Sequence, residues 1–441
     1  MALLLGIDLG TSYLKAGVFD DSGRLRGMGR VSTGVREPRP GWKELDVAEF
    51  LQHLREAVSA AIRESGSVTS EIKAISYGSQ ANTFVLLDER GHPITPLIFW
   101  HDLRAHALAE ELRDFGSSGE RRRRTGLWAL APESAPAKVL WMMRHSPELW
   151  RRCRSVMTVS DYLSFFLTGE RVGDASTAAL TGLYDLTRRE WWQPALDRFG
   201  LDASQLSVPL LPGSSVGRLT SEAAAFFQLE AGTKVAAGAL DHHAAAIGSG
   251  LGVHVEASLS SGTVLAAMVL KDEIVPMPDC IWGPHPGRSR YYALAYDANG
   301  AGRLEDYQRR FAPDSTVGEL MADLEQGAGA RYEAHREPLM RHLREIAVTE
   351  IALLEKTSRG SRFSRIAATG GGARSLVSLQ MKADVLGLPV LSTSPEPACL
   401  GAAVLAAVGS GIHESLDCAV YKMVRSERVV YPSGMGSGPK A

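Results

Sequence analysis

The feature that most constrains the fold is a unit of strand, glycine turn and strand that occurs twice in the chain. In the first copy, residues 3–20, an apolar strand ends at Asp8, the letters GTS turn the chain, and LKAGVFD forms a second strand. The second copy, VEASLSSGTVLAAMVL, covers residues 255–270. Turn residues between two apolar runs are typical of hairpins. The repetition predicts two similar halves that face each other across a cleft.

Helices and strands alternate between and beyond the two copies. Apolar residues at helical spacing alternate with short β-rich runs, which favours an α/β fold over an all-α fold. The predicted elements are a helix over 47–65, a strand over 72–79, a hairpin over 83–94, a helix over 220–232, a strand over 234–241, a helix over 340–357, a strand entering a glycine turn over 365–375, and a helix followed by a strand over 376–390.

The stretch ALDHHAAAIGSG, residues 239–250, places Asp241, His242 and His243 in a row. Such a triplet can bind a metal, supply a catalytic base or begin a helix. Asp241 ends the predicted strand, and the residues after it open the next helix. Ligands of open α/β sheets bind at the carboxyl ends of strands, so the triplet marks a candidate site.

The composition points to a small-molecule partner. The chain has 441 residues, 45% of them hydrophobic and 22% charged, which fits two or three domains with a sizeable core. The net charge of −2 and the pI of about 6.7 give no overall field for nucleic acid or an anionic membrane. The run RRRR at 121–124 lacks interleaved aromatics, and we interpret it as a solvated loop or helix end.

The cysteines and the chain ends favour a reducing cytoplasm. The four cysteines, Cys153, Cys280, Cys399 and Cys418, are far apart in sequence, which argues against a zinc finger and a disulfide framework. The short apolar run at the N-terminus has no basic flank, so we expect a strand there instead of a signal peptide. Residues 431–441 are rich in Gly, Ser and Pro and are expected to form a flexible tail.

Three glycine turns follow predicted strands and can cradle phosphate. They are DLGTS at 8–12, SSGT at 260–263 and TGGGARS at 369–375. Glycine lets backbone N–H groups approach phosphate oxygens, and Ser or Thr hydroxyls add donors. A single turn of this kind is weak evidence because hairpins use the same residues. Three in this order, two of them on repeated hairpins, are far more specific.

With these turns, the chain resembles the FGGY carbohydrate kinases of the actin-like ATPase superfamily. The matching stretches cover most of the chain in the order of the family. They are GIDLGTS (6–12), PGWKELD (40–46), AISYGSQ (74–80), FWHDLRA (99–105), SDYLSFFLTGE (160–170), LTGLYDL (180–186), AGALDHHAAAIGSG (237–250), SLSSGT (258–263), ATGGGARSLVSLQMKADVLGLPV (368–390) and EPACLGAA (396–403).

The resemblance implies a fold and a reaction. We expect two ribonuclease-H-like domains around a catalytic cleft: residues 1–250 mainly for sugar and residues 251–430, a shortened domain, mainly for the nucleotide. The implied reaction is ATP-dependent phosphorylation of a sugar or polyol hydroxyl with Mg²⁺. Asp241 matches the family's catalytic base, which accepts the hydroxyl proton. Asp8 matches the residue that positions Mg²⁺.

The same resemblance assigns residues to the nucleotide. They come from the three glycine turns and from AGRLEDY (301–307), where the match is loose. The implied nucleotide contacts are Gly10, Thr11, Ser12, Lys15, Gly262, Thr263, Gly302, Asp306, Gly371, Gly372, Ala373 and Arg374. Tyr13 departs from the family, which commonly has a small hydroxyl residue at that position.

Substrate contacts implied by the resemblance are Gln80, Asn82, Asp102, Arg104, Asp241 and His242. His243 is expected to be part of the scaffold. It follows His242 by one helical position, so its side chain points about 100° away from that of His242. Ala81 and Asn82 match neither xylulose kinases nor glycerol kinases, which weakens both as substrate assignments. The range of the family favours a ketopentose such as xylulose or ribulose, in the cytoplasm, with a homodimer as the candidate assembly.

Two alternatives remain at this stage. A sugar- or nucleotide-sensing pseudokinase is suggested by Tyr13, by the change at residues 81–82 and by the shortened C-terminal part. The DHH-type phosphoesterases also use Asp-His-His and bind manganese, but they need further aspartates and a histidine near the N-terminus. The segment FDDSG at 19–23 supplies aspartates without a neighbouring histidine.

Overall fold

Two seven-stranded sheets organise the chain. The computed structural model describes residues 2–262, 264–287, 290–298 and 302–434. The strands are β1 (Leu3–Leu9), β2 (Tyr13–Asp20), β3 (Leu25–Ser32), β4 (Glu44–Leu45), β5 (Ile72–Ser79), β6 (Phe84–Leu87), β7 (Leu97–Ile98), β8 (Ser155–Thr158), β9 (Val172–Asp174), β10 (Tyr184–Asp185), β11 (Glu190–Trp191), β12 (Val208–Leu210), β13 (Ser215–Arg218), β14 (Lys234–Ala236), β15 (Ala239–Leu240), β16 (Ala257–Ser261), β17 (Leu265–Lys271), β18 (Cys280–Pro284), β19 (Tyr291–Asp297), β20 (Ile366–Gly370), β21 (Val390–Ser392) and β22 (Arg428–Val430).

Helices cover the sheets and connect their strands. They are α1 (Val47–Ser65), α2 (Ala109–Ser117), α3 (Gly119–Thr125), α4 (Ala135–His145), α5 (Pro147–Arg152), α6 (Val159–Thr168), α7 (Ala175–Ala179), α8 (Gln193–Phe199), α9 (Ser221–Phe227), α10 (Asp241–Gly248), α11 (Gly302–Phe311), α12 (Val317–Gln326), α13 (Ala330–Ser358), α14 (Leu376–Leu386), α15 (Pro397–Gly409) and α16 (Leu416–Met423). Within the described ranges, no helix is long and apolar enough to cross a membrane.

The two large sheets share one pairing pattern. The first has the order β13-β14-β5-β1-β2-β3, with β15 also paired to β5, and the second has the order β18-β19-β17-β16-β20-β21-β22. In each, the first strand of a hairpin pairs in parallel with a later strand, β1 with β5 and β16 with β20. The predicted repetition and α/β class are therefore confirmed.

Predicted elements agree closely where local signals are strong. Helix α1 spans the predicted 47–65, because Asp46 accepts hydrogen bonds from the first-turn amides of Ala48 and Glu49 and Gly66 ends the helix with φ 63°. The predicted helix over 220–232 is shorter than expected and ends at Phe227. Gln228 there adopts a left-handed conformation, φ 57°, which stops the helix.

One predicted strand is split. The segment 234–241 forms β14 and β15 with a break at Gly238, where an added Cβ would lie 2.1 Å from the carbonyl oxygen of Tyr77. Between Val235, which pairs with Ile75, and Ala239, which pairs with Gly78, the segment has one residue more than β5, and this extra residue interrupts the ladder. Asp241, predicted to end the strand, instead follows β15 directly as the first residue of α10.

Helix α15 packs against β1 and α10 with almost no space between backbones. A Cβ on Gly401 would lie 1.8 Å from the carbonyl oxygen of Ala244, and one on Gly248 would lie 1.9 Å from that of Pro397. A Cβ on Gly6 of β1 would lie 2.0 Å from the carbonyl oxygen of Cys399. Helix α15 belongs to the predicted C-terminal domain, whereas β1 and α10 belong to the predicted N-terminal domain, so this packing joins the two predicted domains. The domain boundary at residue 250 stays a prediction.

The arginine run at 121–124 corrects one sequence interpretation. It lies in α3 and near its end, but Arg121 is fully buried instead of solvated. Its guanidinium donates to the carbonyl oxygens of Gly116, at 2.6 Å, and Leu127, at 3.1 Å. Burial lowers the pKa of Arg121 to about 10. One arginine of the run therefore joins the end of α2 to the segment after α3.

The predicted flexible tail begins with anchored residues. The backbone N–H of Ser433 donates to the Asp384 carboxylate at 2.7 Å, and Gln380 donates to the carbonyl oxygen of Tyr431 at 2.9 Å. Residues 435–441 lie outside the described part of the chain, so flexibility there stays a prediction.

The Gly401→Ala variant is expected to be strongly destabilised. The new methyl group meets backbone that cannot rotate away, so the free energy of unfolding should fall by about 3 kcal/mol, as for overpacking. Gly318→Ala in α12 is the matched control, because its Cβ would have only the Thr316 hydroxyl, at 3.8 Å, within 4 Å. Urea unfolding of both variants measures the difference. Equal stabilities would contradict the close packing of α15.

Candidate active site

Three strand ends meet where the sequence places its candidate site. Asp8 on β1 lies beside Gly78 of the parallel strand β5, and Gly78 pairs in turn with Ala239 of β15. Asp241 follows β15 as the first residue of α10. A Cβ on Gly78 would lie 3.7 Å from the Asp241 Cα atom, so the helix start sits close against the strand. The two predicted acidic residues are thereby brought to the same edge of the sheet.

Lys15 and Glu396 complete the charged group around Asp8. The ammonium of Lys15 lies 3.4 Å from the Asp8 carboxylate and 2.8 Å from that of Glu396. Glu396 also accepts a bond from Arg374 of the third glycine turn at 2.7 Å. The first and third predicted phosphate turns are therefore joined through Glu396. The sequence reasoning missed Glu396, although the matching stretch EPACLGAA begins with it.

The environment of Asp8 disfavours its charge. Burial raises the pKa of Asp8 to about 6, and the nearby carboxylates of Asp241 and Glu396 add to the rise, while Lys15 opposes it. A cation placed here would relieve this repulsion, and carboxylate oxygens suit Mg²⁺. Among the described residues, no group of three or more His, Cys, Asp or Glu side chains could hold a metal alone. Mg²⁺ would thus need water and phosphate oxygens besides Asp8.

Asp241 is held at the helix start by its neighbours. Its carboxylate accepts a 2.7 Å bond from the backbone N–H of His242. The preceding residue, Leu240, donates its N–H to the hydroxyl of Ser176, which donates to the buried Asp174 carboxylate at 2.6 Å. The N-terminal end of a helix also favours a negative charge. Asp241 is half-buried.

The two histidines after Asp241 have different surroundings. His242 is half-buried, whereas His243 is fully buried. The His243 Nε2 atom lies 2.9 Å from Nδ1 of His285, and its ring packs against Tyr292 at a centroid distance of 4.6 Å. Burial and His285 lower the pKa of His243 well below its ordinary value. This is the environment expected of a scaffold side chain.

Thr11 of the first turn is linked to two segments that sequence reasoning treats separately. Its hydroxyl accepts a 2.8 Å bond from the indole N–H of Trp100 and donates to the Gln80 side-chain oxygen at 3.4 Å. The Gln80 amide in turn donates to the carbonyl oxygen of Gly10 at 3.3 Å. Trp100 was missed, although it stands inside FWHDLRA. Ser12 is exposed beside this network.

The remaining predicted sugar contacts already have protein partners. The Asn82 amide donates to the carbonyl oxygen of Leu180 and accepts from the N–H of Ala135. Asp102, which is fully buried, accepts two bonds from the guanidinium of Arg104, at 2.7 and 2.9 Å. A surface ion pair is thus not what the structure shows, since the pair is buried. Direct contact of these side chains with sugar stays a prediction.

The second and third glycine turns lie side by side. Ser261 pairs with Gly370, and a Cβ on Gly370 would lie 2.6 Å from the Ser261 carbonyl oxygen. The Ser261 hydroxyl contacts a buried ion pair beneath the turn, donating to Glu350 at 2.6 Å and accepting from Lys382 at 2.7 Å. The pair is a third feature that the sequence analysis missed. It fixes the strand end from which Gly262 continues.

The other predicted nucleotide residues are spread around these turns. Gly371, Gly372 and Ala373 form a short 3₁₀ turn directly after β20. Gly302 begins α11, and Asp306 on that helix is exposed and pairs with Arg309. Thr263 lies outside the described residues. Nucleotide contact by this set stays a prediction.

Comparisons with known proteins place this arrangement in a family. Residues 3–248 match the model of the N-terminal domain of the FGGY family of carbohydrate kinases, and residues 291–410 match that of the C-terminal domain. The chain is 26% identical to a xylulose kinase of Lactococcus lactis, covering 95% of this chain and 90% of the relative. It is 29% identical to an autoinducer-2 kinase of Escherichia coli, covering 97% and 90%.

A solved structure of similar shape agrees. The crystal structure of a xyloylose kinase from Brucella ovis has a TM-score of 0.83 and 26% identity, and the match covers 98% of this chain and 95% of that one. The relatives are therefore matched over nearly their whole length.

Asp8→Asn is expected to make the metal-free, nucleotide-free protein more stable at pH 8. Above about pH 6 the folded wild type holds an ionised Asp8 whose pKa is raised from 3.8. A rise of roughly two units corresponds to about 3 kcal/mol as an upper bound. The gain should shrink as pH falls toward 5, because the wild-type carboxyl then takes up a proton in the folded state.

Urea unfolding at pH 5 and pH 8 measures this difference. Other groups titrate in both proteins and cancel in the comparison. The matched control is Asp46→Asn, a change of the same type at the exposed cap of α1, which should show no such gain at pH 8. A variant of Asp8 that is less stable at pH 8 would contradict the unfavourable environment inferred for this carboxylate.

Proposed function

Because the chain belongs to the FGGY family of carbohydrate kinases and is an ATP-dependent sugar kinase, we propose that it phosphorylates a ketopentose such as xylulose or ribulose, with Asp241 as general base. The observation that supports the proposal most is the position of Asp241. It begins α10 at the strand ends that also carry Asp8 and the first glycine turn. A base at that point faces both a sugar and the terminal phosphate.

The proposed chemistry is a direct transfer. A sugar hydroxyl oxygen forms a bond to the γ-phosphorus of ATP, the bond from that phosphorus to the β–γ bridging oxygen breaks, and ADP leaves. Asp241 orients the hydroxyl and accepts its proton as the new bond forms. Mg²⁺, when bound, neutralises charge on the phosphates. Asp8 would hold the cation together with water.

The glycine turns bind the nucleotide in this proposal. The first turn gives backbone N–H groups and the hydroxyls of Thr11 and Ser12 to the terminal phosphates, and Lys15 adds a positive charge. The second turn contributes Gly262 and Thr263, and the third contributes Gly371, Gly372, Ala373 and Arg374. Gly302 and Asp306 approach the nucleotide from α11. Glu396 supports these turns by pairing with both Lys15 and Arg374.

The sugar is bound by the loops after β5 and β7. Gln80 and His242 present polar groups near Asp241, and a neutral imidazole can donate to a sugar hydroxyl. Asn82, Asp102 and Arg104 belong to the same loops and would reach sugar by exchanging protein partners. Closure of the cleft excludes water, which would otherwise compete as phosphoryl acceptor.

The two earlier alternatives lose their support. Family membership makes the chain an enzyme, so a pseudokinase is not proposed, and the phosphoesterase reading lacks the metal-binding group it needs within the described residues. A cytoplasmic homodimer remains part of the proposal. Tyr13, which departs from the family, is exposed, with the Arg30 guanidinium stacked over its ring at 3.6 Å.

Asp241→Asn should leave ATP binding nearly unchanged and lower phosphoryl transfer by about 100-fold or more, because the amide cannot accept the proton. Coupled ADP release at saturating sugar measures turnover, and calorimetry measures ATP affinity. Asp46→Asn, a carboxylate-to-amide change at another helix start, is the matched control and should keep wild-type kinetics. Normal turnover by Asp241→Asn would exclude this residue as the base.

A substrate panel tests the sugar class. Xylulose and ribulose should give the highest kcat/KM, above glycerol, gluconate and the phosphorylatable form of autoinducer-2. ADP release is measured for each compound at several concentrations. A higher kcat/KM for glycerol, gluconate or autoinducer-2 would contradict the ketopentose proposal. Absence of turnover with all of the compounds would contradict the proposed activity itself.

A further inference from the structure

Lys138 on α4 is a fully buried lysine whose three N–H donors are all in use. Its ammonium donates to the carbonyl oxygens of Phe99 at 2.6 Å, Asn82 at 3.2 Å and Trp100 at 3.2 Å. An ammonium is the one side-chain group that offers three donors from a single point. The three acceptors come from two loops that are distant in sequence, so this contact joins them.

Keeping a charge in this position is unfavourable by itself. Burial lowers the pKa of Lys138 to about 7, Arg104 lowers it further, and Asp102 and Glu133 act in the opposite direction. None of its three hydrogen bonds goes to a carboxylate. Apolar side chains of the same volume would pack here without desolvating a charge, which argues that the carbonyl contacts themselves matter.

The two loops that Lys138 joins are the proposed sugar-binding loops. We name them the wall loops, residues 80–83 and 99–101. The Thr83 hydroxyl donates to the Gln80 side chain at 2.9 Å and accepts from the N–H of Trp100 at 3.1 Å. Trp100 then donates to Thr11, and Gln80 donates to Gly10. Lys138 is therefore bonded to the backbone of the wall loops, and side chains of the same loops are bonded to the first glycine turn.

We propose that Lys138 is a positioning residue that holds the wall loops in register with the first glycine turn, so that the sugar hydroxyl meets the terminal phosphate. It acts through backbone carbonyls and does not touch substrate. This inference rests on the proposed kinase function, since it assigns the wall loops to sugar and the turn to phosphate. Small displacements between reacting groups are sufficient to matter, because a shift of about 1 Å can reduce rates about 100-fold.

Removal of the ammonium leaves one buried and two partly buried carbonyls without this donor. The Lys138→Met variant should lower kcat/KM for sugar about 100-fold through a higher KM and a lower kcat, while ATP affinity measured without sugar stays within about twofold. The ratio of ATP hydrolysis to sugar phosphorylation should rise, because loosened wall loops admit water. Lys138→Arg, which keeps the charge with a different donor geometry, should recover part of the loss.

Lys382→Met is the matched comparison. Lys382 is equally buried but pairs with Glu350 beneath the nucleotide turns, so its loss should raise the KM for ATP instead of the KM for sugar. General destabilisation would not make one variant raise only the KM for sugar and the other only the KM for ATP. Thermal unfolding of each variant is recorded alongside the kinetics.

The single variant Trp100→Phe provides a second test that does not depend on the folding of Lys138→Met. It removes the indole N–H that reaches Thr11 and keeps an aromatic ring. The sugar KM should rise in the same direction but by a smaller factor. In the double variant Lys138→Met/Trp100→Phe, the fold-loss in kcat/KM for sugar should be smaller than the product of the two single fold-losses. Multiplicative losses, or unchanged substrate KM values in Lys138→Met and Lys138→Arg, would overturn the inference. A wild type inactive on every sugar would instead refute the proposed function.

Discussion

The close packing of α15 against β1 and α10 is the constraint on which the site depends. Carbonyl oxygens of one element occupy the space that a methyl group would need on the other, at Gly6, Gly248 and Gly401. This contact leaves α15 little freedom to slide. Its first residue follows Glu396, and α10 begins with Asp241, so one interface positions both carboxylates relative to Asp8. The close backbone contacts at these glycines therefore fix the positions of the charged residues of the site.

The sequence was sufficient for the features that depend on local signals. The repeated hairpin, the helix over 47–65 and the helix that opens after the strand 234–241 each follow from turn residues or from periodicity within a short stretch. Their counterparts in the structure have the expected bounds, apart from helix ends set by single backbone conformations such as that of Gln228. The family resemblance added the order of the motifs, and the matched models agree with it.

The features that sequence reasoning missed are pairs of residues far apart in the chain. Lys15 and Glu396 are separated by 381 positions, and Lys138 bonds to a carbonyl 56 positions away. Nothing in a linear pattern shows that a lysine will meet backbone carbonyls instead of solvent. Only the packing of distant segments reveals these partners. Arg121 is a different case, because its partners lie only five and six positions away, but the run of arginines does not show that one member is buried.

The path of α15 also has a consequence for how the protein is made. One core cluster joins Leu4 and Ala74 of the first sheet to Cys399 and Val404 of α15 and to Val420 of α16. During synthesis the first sheet leaves the ribosome long before these helices exist, and it must wait with one apolar face uncovered. The first half of the polypeptide therefore cannot reach its final packing until nearly the whole chain has been translated. The core of the first sheet is completed by helices that are among the last segments to be synthesised.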